Sequence, residues 1–85
     1  MADEYGISSR SRVAVSEEID RLKGDGSGVT QDLAEEAIQN VTGLNNRERA
    51  ILWQLQNKGW SWKNNPFDRQ VGREVYDRMH EEDEE

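Results

Sequence analysis

The sequence predicts an all-α fold, a compact bundle of about four short helices with disordered termini. In four segments the apolar side chains recur every three or four residues, which is the spacing of one face of a helix. Residue types that cap helices precede these segments, and glycines or a proline separate them. Strand-like alternation is limited to residues 12–15 and 60–62. We therefore expect helices over about residues 12–23, 31–42, 46–58 and 66–80.

The first helix is indicated by Val15, Ile19 and Leu22, which lie on one helical face. The glycine-rich run 24–28 follows, and its composition is typical of a flexible linker. A phosphate-binding loop is the alternative for this run. Its glycine spacing differs from the dinucleotide motif, and it lacks the lysine and hydroxyl pair of a phosphate loop, so we favour the linker.

The second and third helices carry recognisable caps. Thr30 is placed to cap the second helix, and Gly43 is placed to end it. Asn45 and Glu48 have the spacing of a capping box at the start of the third helix.

The end of the third helix is predicted at Gly59. A Schellman ending there would allow Trp60 to pack on Leu55. Residues 60–63 are expected to form an extended connector, with the indoles of Trp60 and Trp62 on one side of it.

The fourth helix has the clearest start. Asn65 is predicted to cap it, with Pro66 as its first residue and Asp68 two positions further on. Its apolar face consists of residues that recur at every fourth position, namely Phe67, Val71, Val75 and Met79.

Length and composition indicate one modest domain. The chain has 85 residues, of which 33% are apolar and 34% charged, and it contains no cysteine for disulfides or thiolate metal sites. No apolar stretch approaches the roughly 18 to 20 residues of a membrane helix, and the acidic N-terminus is unlike a signal peptide. We therefore expect no membrane contact and a cytoplasmic location. The expected organisation is a disordered N-terminus (1–10), a single helical domain (11–80) and an acidic tail (81–85).

The net charge of −7 is unevenly distributed. Residues 1–43 hold nine acids and four bases, residues 44–80 hold four acids and seven bases, and residues 81–85 are all acidic. The overall negative charge disfavours indiscriminate binding to nucleic acid or anionic membranes. Because the central segment is net positive and carries all three tryptophans, we expect the function to lie there, with the acidic ends modulating it.

Catalytic signatures are missing from the sequence. It has one histidine, and adjacent acids such as Glu17 and Glu18 point about 100° apart on a helix, so they form no dyad. His80 lies beside two glutamates in the expected tail, which is not a preorganised metal site. The sequence therefore predicts neither an enzyme nor a site for a cofactor or metal.

The tryptophans suggest a binding surface. Trp53, Trp60 and Trp62 lie within ten residues of one another. Tryptophan is enriched in binding hot spots, although a small domain also needs its large side chains for its core. We assign Trp53 and Trp60 to the core and leave Trp62 between core and surface. A partner-binding site would consist of Trp60, Trp62 and Lys63.

Two functional hypotheses follow. The first is a small non-enzymatic regulatory or assembly module that binds a protein partner through its acidic surface and the Trp60–Trp62 connector. The alternative is a nucleic-acid-binding domain resembling a helix-turn-helix, formed by residues 44–80 and acting as a homodimer. In that case the nucleic acid would be contacted by Arg69, Gln70, Arg73 and Tyr76. The turn between the two helices is longer than the usual three or four residues, which favours the first hypothesis.

Overall fold

The computed structural model describes residues 5–24 and 28–83 and has the predicted all-α architecture. A single turn of 3₁₀ helix, Trp62–Asn64, precedes the last helix, and we refer to it as the 3₁₀ turn. The described residues contain no β-strand. The four α-helices are α1 (Ser9–Lys23), α2 (Gln31–Asn40), α3 (Asn46–Gln54) and α4 (Arg69–Asp83).

The helices pack in chain order around one core. Helix α1 contacts α2, α2 contacts α3, and α3 contacts α4, while the 3₁₀ turn lies against α4. Trp53 on α3 is only 1% exposed, and its indole Nε1 donates a hydrogen bond to the carbonyl of Gln31 at 3.1 Å. The buried apolar side chains come from every helix and are Ile7, Val15, Ile19, Ala34, Ala37, Ile38, Leu44, Ala50, Ile51, Leu52, Trp53, Val71, Val75 and Met79.

The structure describes the N-terminal segment from Tyr5 onward. Ile7 is fully buried in the core, and α1 begins at Ser9 rather than near residue 12. The reason for the early start is a cap, since the Ser8 hydroxyl accepts a hydrogen bond from the Ser11 amide at 3.2 Å. The expected linker at 24–28 lies largely outside the described residues.

Helices α2 and α3 begin at their predicted caps but end earlier than expected. The Thr30 hydroxyl accepts from the Leu33 amide, and Asn45 and Glu48 form the complete capping box. Helix α2 stops at Asn40 because Val41 adopts an extended conformation, in which it packs against the core.

The Schellman ending predicted at Gly59 is wrong. Helix α3 ends at Gln54, and the glycine does not have the positive φ that such an ending requires. Instead, the Asn57 side chain accepts a hydrogen bond from the Gly59 amide at 2.7 Å. The chain turns here because the side-chain amide of buried Gln54 binds the carbonyl of Trp60 at 2.8 Å.

Helix α4 begins three residues later than predicted, because Asp68 caps it rather than Asn65. The Asp68 carboxylate accepts hydrogen bonds from the amides of Gln70 and Val71, and its carbonyl accepts from Gly72. Asn65 caps the turn before the helix, where its side-chain oxygen accepts from the amides of Phe67 and Asp68.

The C-terminal part of the chain is helical through Asp83, so the expected acidic tail at 81–85 begins inside α4. Residues 84–85 lie outside the described part of the chain. Within the described residues, no helix combines the length and the apolar character needed to cross a membrane.

Candidate interaction surface

A buried polar network fixes the connection between α3 and α4. The side-chain amide of Asn65 donates hydrogen bonds to the carbonyl of Ala50 at 3.0 Å and to Oε1 of Gln54 at 3.1 Å. Both amide side chains are buried, and each of their described donors and acceptors faces a partner. Helix α4 approaches this network at Gly72, where an added Cβ would lie 2.9 Å from the Asn65 amide nitrogen. The network therefore holds the connection rigidly beneath the residues predicted to bind a partner.

Trp60 belongs to the edge of the core. Its ring is half-buried and lies 4.8 Å from the ring of Trp53, and its carbonyl is bound by Gln54. These contacts agree with its assignment to the core. Trp62 has a different role, because its ring lies near Lys63 and Arg73 rather than near Trp53.

The connector after Trp60 is not fully extended, because the 3₁₀ turn interrupts it. The Ser61 hydroxyl accepts a hydrogen bond from the Lys63 amide at 3.2 Å, and the Ser61 carbonyl accepts from the Asn64 amide at 3.0 Å. A serine at the start of such a turn satisfies amides that would otherwise lack a partner. The turn directs Trp62 away from Trp53 and toward α4.

Trp62, Lys63 and Arg73 come together at the surface, and we call these three residues the aromatic–cationic cluster. The Trp62 ring is half-buried, the Lys63 ammonium lies 5.7 Å from its centroid, and the Arg73 guanidinium lies 5.4 Å from it. Both distances are within the range of a cation–π interaction. Both cationic side chains are exposed, so the cluster presents an aromatic face and two positive charges to solvent.

Arg73 has one further partner in the described structure. Its Nε lies 3.8 Å from the carboxylate of Asp77, one turn further along α4, and both side chains are about two-thirds exposed. An exposed ion pair of this length contributes little to stability. Asp77 therefore offsets part of the positive charge of the cluster without covering it.

The remaining predicted nucleic-acid residues are divided between two places. Arg69 and Gln70 are exposed at the start of α4. Tyr76 is half-buried, and its ring lies 4.1 Å from the ring of His80, whose Nε2 is 3.0 Å from the carbonyl of Lys58. Tyr76 therefore takes part in packing α4 on the connection, and only the two residues at the helix start are presented beside Arg73.

A small hollow of about 90 Å³ lies on another side of the α3–α4 pair. Ile51 and Val75 are its buried apolar residues, and the ion pair between Arg47 and Glu74, at 3.8 Å, lies beside them. Arg78 stacks on the ring of Tyr5 at 5.2 Å. The charged groups of the hollow are thus engaged with one another or with an aromatic ring.

The exposed carboxylates of α1 and α2 include Glu17, Asp20, Asp32 and Glu36, although α1 also carries four basic residues. Glu18 links the two helices, since its carboxylate accepts hydrogen bonds from Arg21 on its own helix and from the side-chain amide of Asn40 on α2. The hydrogen bond from Arg21, and then the one from Asn40, lower the pKa of Glu18 below its ordinary value.

The structure thus brings together residues that the sequence predicts to lie in two different sites. Trp62 and Lys63 belonged to the predicted partner-binding set, and Arg73 belonged to the predicted nucleic-acid set. Their meeting depends on the 3₁₀ turn packing against α4, for which the sequence offers no periodic signal. Comparison with known proteins gives no match: no family model, no curated protein and no solved structure resembles this chain at a significant level.

Proposed function

We propose that this chain is a small non-enzymatic module that regulates or assembles with a protein partner, in the cytoplasm, and that the aromatic–cationic cluster is its main contact. The observation that carries the proposal is the convergence of Trp62, Lys63 and Arg73, with Trp62 half-buried between two cations. Tryptophan and arginine are the residue types most enriched in binding hot spots.

The hydrogen bonds that hold the chain next to the aromatic–cationic cluster support the proposal. The 3₁₀ turn that carries Trp62 and Lys63 is followed directly by Asn65, which is held by four hydrogen bonds in the buried network. A binding residue on a rigid support loses less conformational entropy when a partner binds. The cluster is therefore suited to bind without rearrangement of the fold.

The nucleic-acid alternative has one observation in its favour, the exposure of Arg69, Gln70 and Arg73 on α4. Two observations oppose it. Residues 55–68 separate α3 from α4, whereas the turn of a helix-turn-helix has three or four residues. Exposed Glu74 and Asp77 also lie on α4 within two turns of these residues, and they would repel phosphates.

Affinity capture with quantitative mass spectrometry tests the proposal. The wild-type chain, Trp62→Ala and Val13→Ala would each be immobilised and exposed to a lysate of the source cells. Val13 is a suitable control because it is an apolar side chain on α1 that is 54% exposed. We expect a partner to be retained by the wild type and by Val13→Ala, and to be reduced at least tenfold with Trp62→Ala, as for a hot-spot residue. Equal retention by all three chains would refute the proposal.

A salt titration on duplex DNA tests the alternative. Phosphate contacts make the logarithm of the affinity fall steeply with the logarithm of the salt concentration. We expect no binding even at about 50 mM salt, because the chain is net negative and acids flank its cations. Binding that is steeply salt-dependent and is lost in the double variant Arg69→Ala, Arg73→Ala would favour the nucleic-acid function instead.

A further inference from the structure

We infer that the segment bound by the aromatic–cationic cluster is an acidic stretch of a partner protein, recognised through its carboxylates. This inference rests on the proposed function and adds the chemistry of the partner to it. It depends on the geometry of Arg73, on the positive charges gathered around Trp62, and on the acids that surround them.

The geometry of Arg73 leaves its hydrogen-bonding groups available. A guanidinium stacks on an aromatic ring with its flat face, whereas its N–H donors point outward in its plane. With the guanidinium 5.4 Å from the Trp62 centroid, the ring restrains its position, and only Nε is near the carboxylate of Asp77. The two terminal nitrogens are the donors that bind a carboxylate in a bidentate pair.

Two exposed cations, Lys63 and Arg73, lie over the Trp62 ring, and Asp77 pairs with one of them. Lys63 and Arg69 are exposed, and neither makes an ion pair with another described residue. Arg69 and Arg73 are four residues apart on α4, a spacing at which like charges repel. Lys63 and Arg73 thus share the Trp62 ring, and Arg69 lies one turn before Arg73 on α4, an arrangement of cations that a bound carboxylate would stabilise.

The acidic residues on α4 favour a short protein segment with carboxylates over a nucleic acid with phosphates as the ligand. A duplex presents regularly spaced phosphates over a long surface and would meet Glu74, Asp77 and Glu81 on the same helix. A short acidic peptide needs to contact only the cluster and Arg69. Trp62 adds an apolar surface suited to the carbon atoms of glutamate or of an apolar residue beside it.

Nuclear magnetic resonance with a defined peptide tests the inference. The probe is the blocked peptide acetyl-Glu-Asp-Glu-Leu-Glu-Asp-Glu-amide, compared with the same peptide in which glutamine and asparagine replace the acids. We expect the acidic peptide to shift the Trp62 indole resonance and the amides of Lys63, Arg69 and Arg73, with a Kd of about 1 mM. The neutral peptide should cause no shift, and about 0.5 M salt should abolish the effect by screening.

Matched variants identify the groups that bind. Replacing both cations, Lys63→Gln with Arg73→Gln, should weaken binding about tenfold, whereas Arg10→Gln, which removes an exposed charge from α1, should leave it unchanged. Trp62→Phe, compared with the wild type, assigns the indole resonance. Equal shifts with both peptides, no shift at all, or tighter binding to an oligothymidine of equal length would overturn the inference.

The outcomes also separate this inference from the proposed function. If the captured partner depends on Trp62 but not on Lys63 and Arg73, and the acidic peptide fails to bind, the chain binds its partner by apolar contact and only the present inference fails. If capture does not depend on Trp62, the proposed function itself fails.

Discussion

Both the nitrogen and the oxygen of the Asn65 side-chain amide form hydrogen bonds inside the protein. Its nitrogen donates to Ala50 and Gln54, and its oxygen accepts from the amides of Phe67 and Asp68. A buried amide with every group satisfied avoids the free-energy cost of an unpaired polar group, and it specifies one arrangement of the chain around it. Gly72 is part of the same arrangement, because only a residue without a Cβ leaves room for the amide.

Gly72→Ala should lower the free energy of unfolding by about 1 to 2 kcal/mol. Alanine is the better helix former by about 1 kcal/mol, but its Cβ would lie within 2.9 Å of the Asn65 amide nitrogen and 3.0 Å of Gln54 Oε1. Overpacking costs about 1 to 3 kcal/mol, and disturbed buried hydrogen bonds add to that. Urea unfolding followed by circular dichroism measures the difference. Gln70→Ala, an exposed change on the same helix, should stay within about 0.5 kcal/mol, and a Gly72→Ala variant as stable as the wild type would contradict the proposed crowding.

At the scale of elements, α4 is the helix whose position determines the interaction surface. It carries Arg73 to the Trp62 ring, and its start is set by two successive caps, Asn65 for the turn and Asp68 for the helix. Two caps in series are needed because the chain changes direction between the 3₁₀ turn and the helix. The orientation of α4 therefore depends on side-chain hydrogen bonds as well as on its apolar face.

Asp68→Ala should destabilise the protein by about 1 kcal/mol, the usual cost of losing an N-cap. The carboxylate accepts hydrogen bonds from the amides of Gln70 and Val71, and alanine leaves both amides without that acceptor. Thermal or urea unfolding gives the difference, and Asp68→Asn should recover most of it because asparagine also caps helices well. Asp77→Ala removes an exposed acid from the same helix and should change stability by less than about 0.5 kcal/mol. An equal loss in the two alanine variants would argue for a general charge effect rather than a cap.

At the scale of the whole molecule, acids and bases alternate along the helices, and the aromatic–cationic cluster lies between the 3₁₀ turn and α4. Glu18 contributes to joining the first two helices, because Asn40 on α2 donates a hydrogen bond to its carboxylate at 2.9 Å. A carboxylate whose pKa is lowered on folding stabilises the fold only while it is ionised.

The contribution of Glu18 to stability should therefore disappear in acid. Because its pKa in the folded chain lies below the ordinary value of 4.5, the stabilisation is fully present above that pH and is lost as the pH falls through the folded-state pKa. We expect Glu18→Gln to be less stable than the wild type near neutral pH, with the difference closing as the pH falls below 4.5. Unfolding in urea across this pH range measures it. Glu17→Gln makes the same change in formal charge at an exposed neighbour, and a pH-dependent difference of equal size there would contradict the role of the Asn40 contact.

The sequence alone determined the fold class, because periodic apolar residues and local caps depend only on neighbours in the chain. Thr30, and Asn45 with Glu48, cap helices as predicted, since a cap acts within three residues. The prediction was wrong where distant residues compete with local preference. Helix α1 begins at Ser9 rather than near residue 12, after Ile7, whose side chain is buried in the core formed by the helices.

Only the tertiary structure decided where α3 ends and what Trp62 contacts. Gln54 and Asn65 lie at the two ends of the connection between α3 and α4. A pattern of neighbouring residues cannot predict the hydrogen bond between their side chains. Gln54 also binds the carbonyl of Trp60 after α3 ends, and the Trp62 ring then lies beside Arg73. Helical periodicity predicts which face of each helix is buried, whereas the interaction surface arises from side chains that only the packing of the connection against α4 brings together.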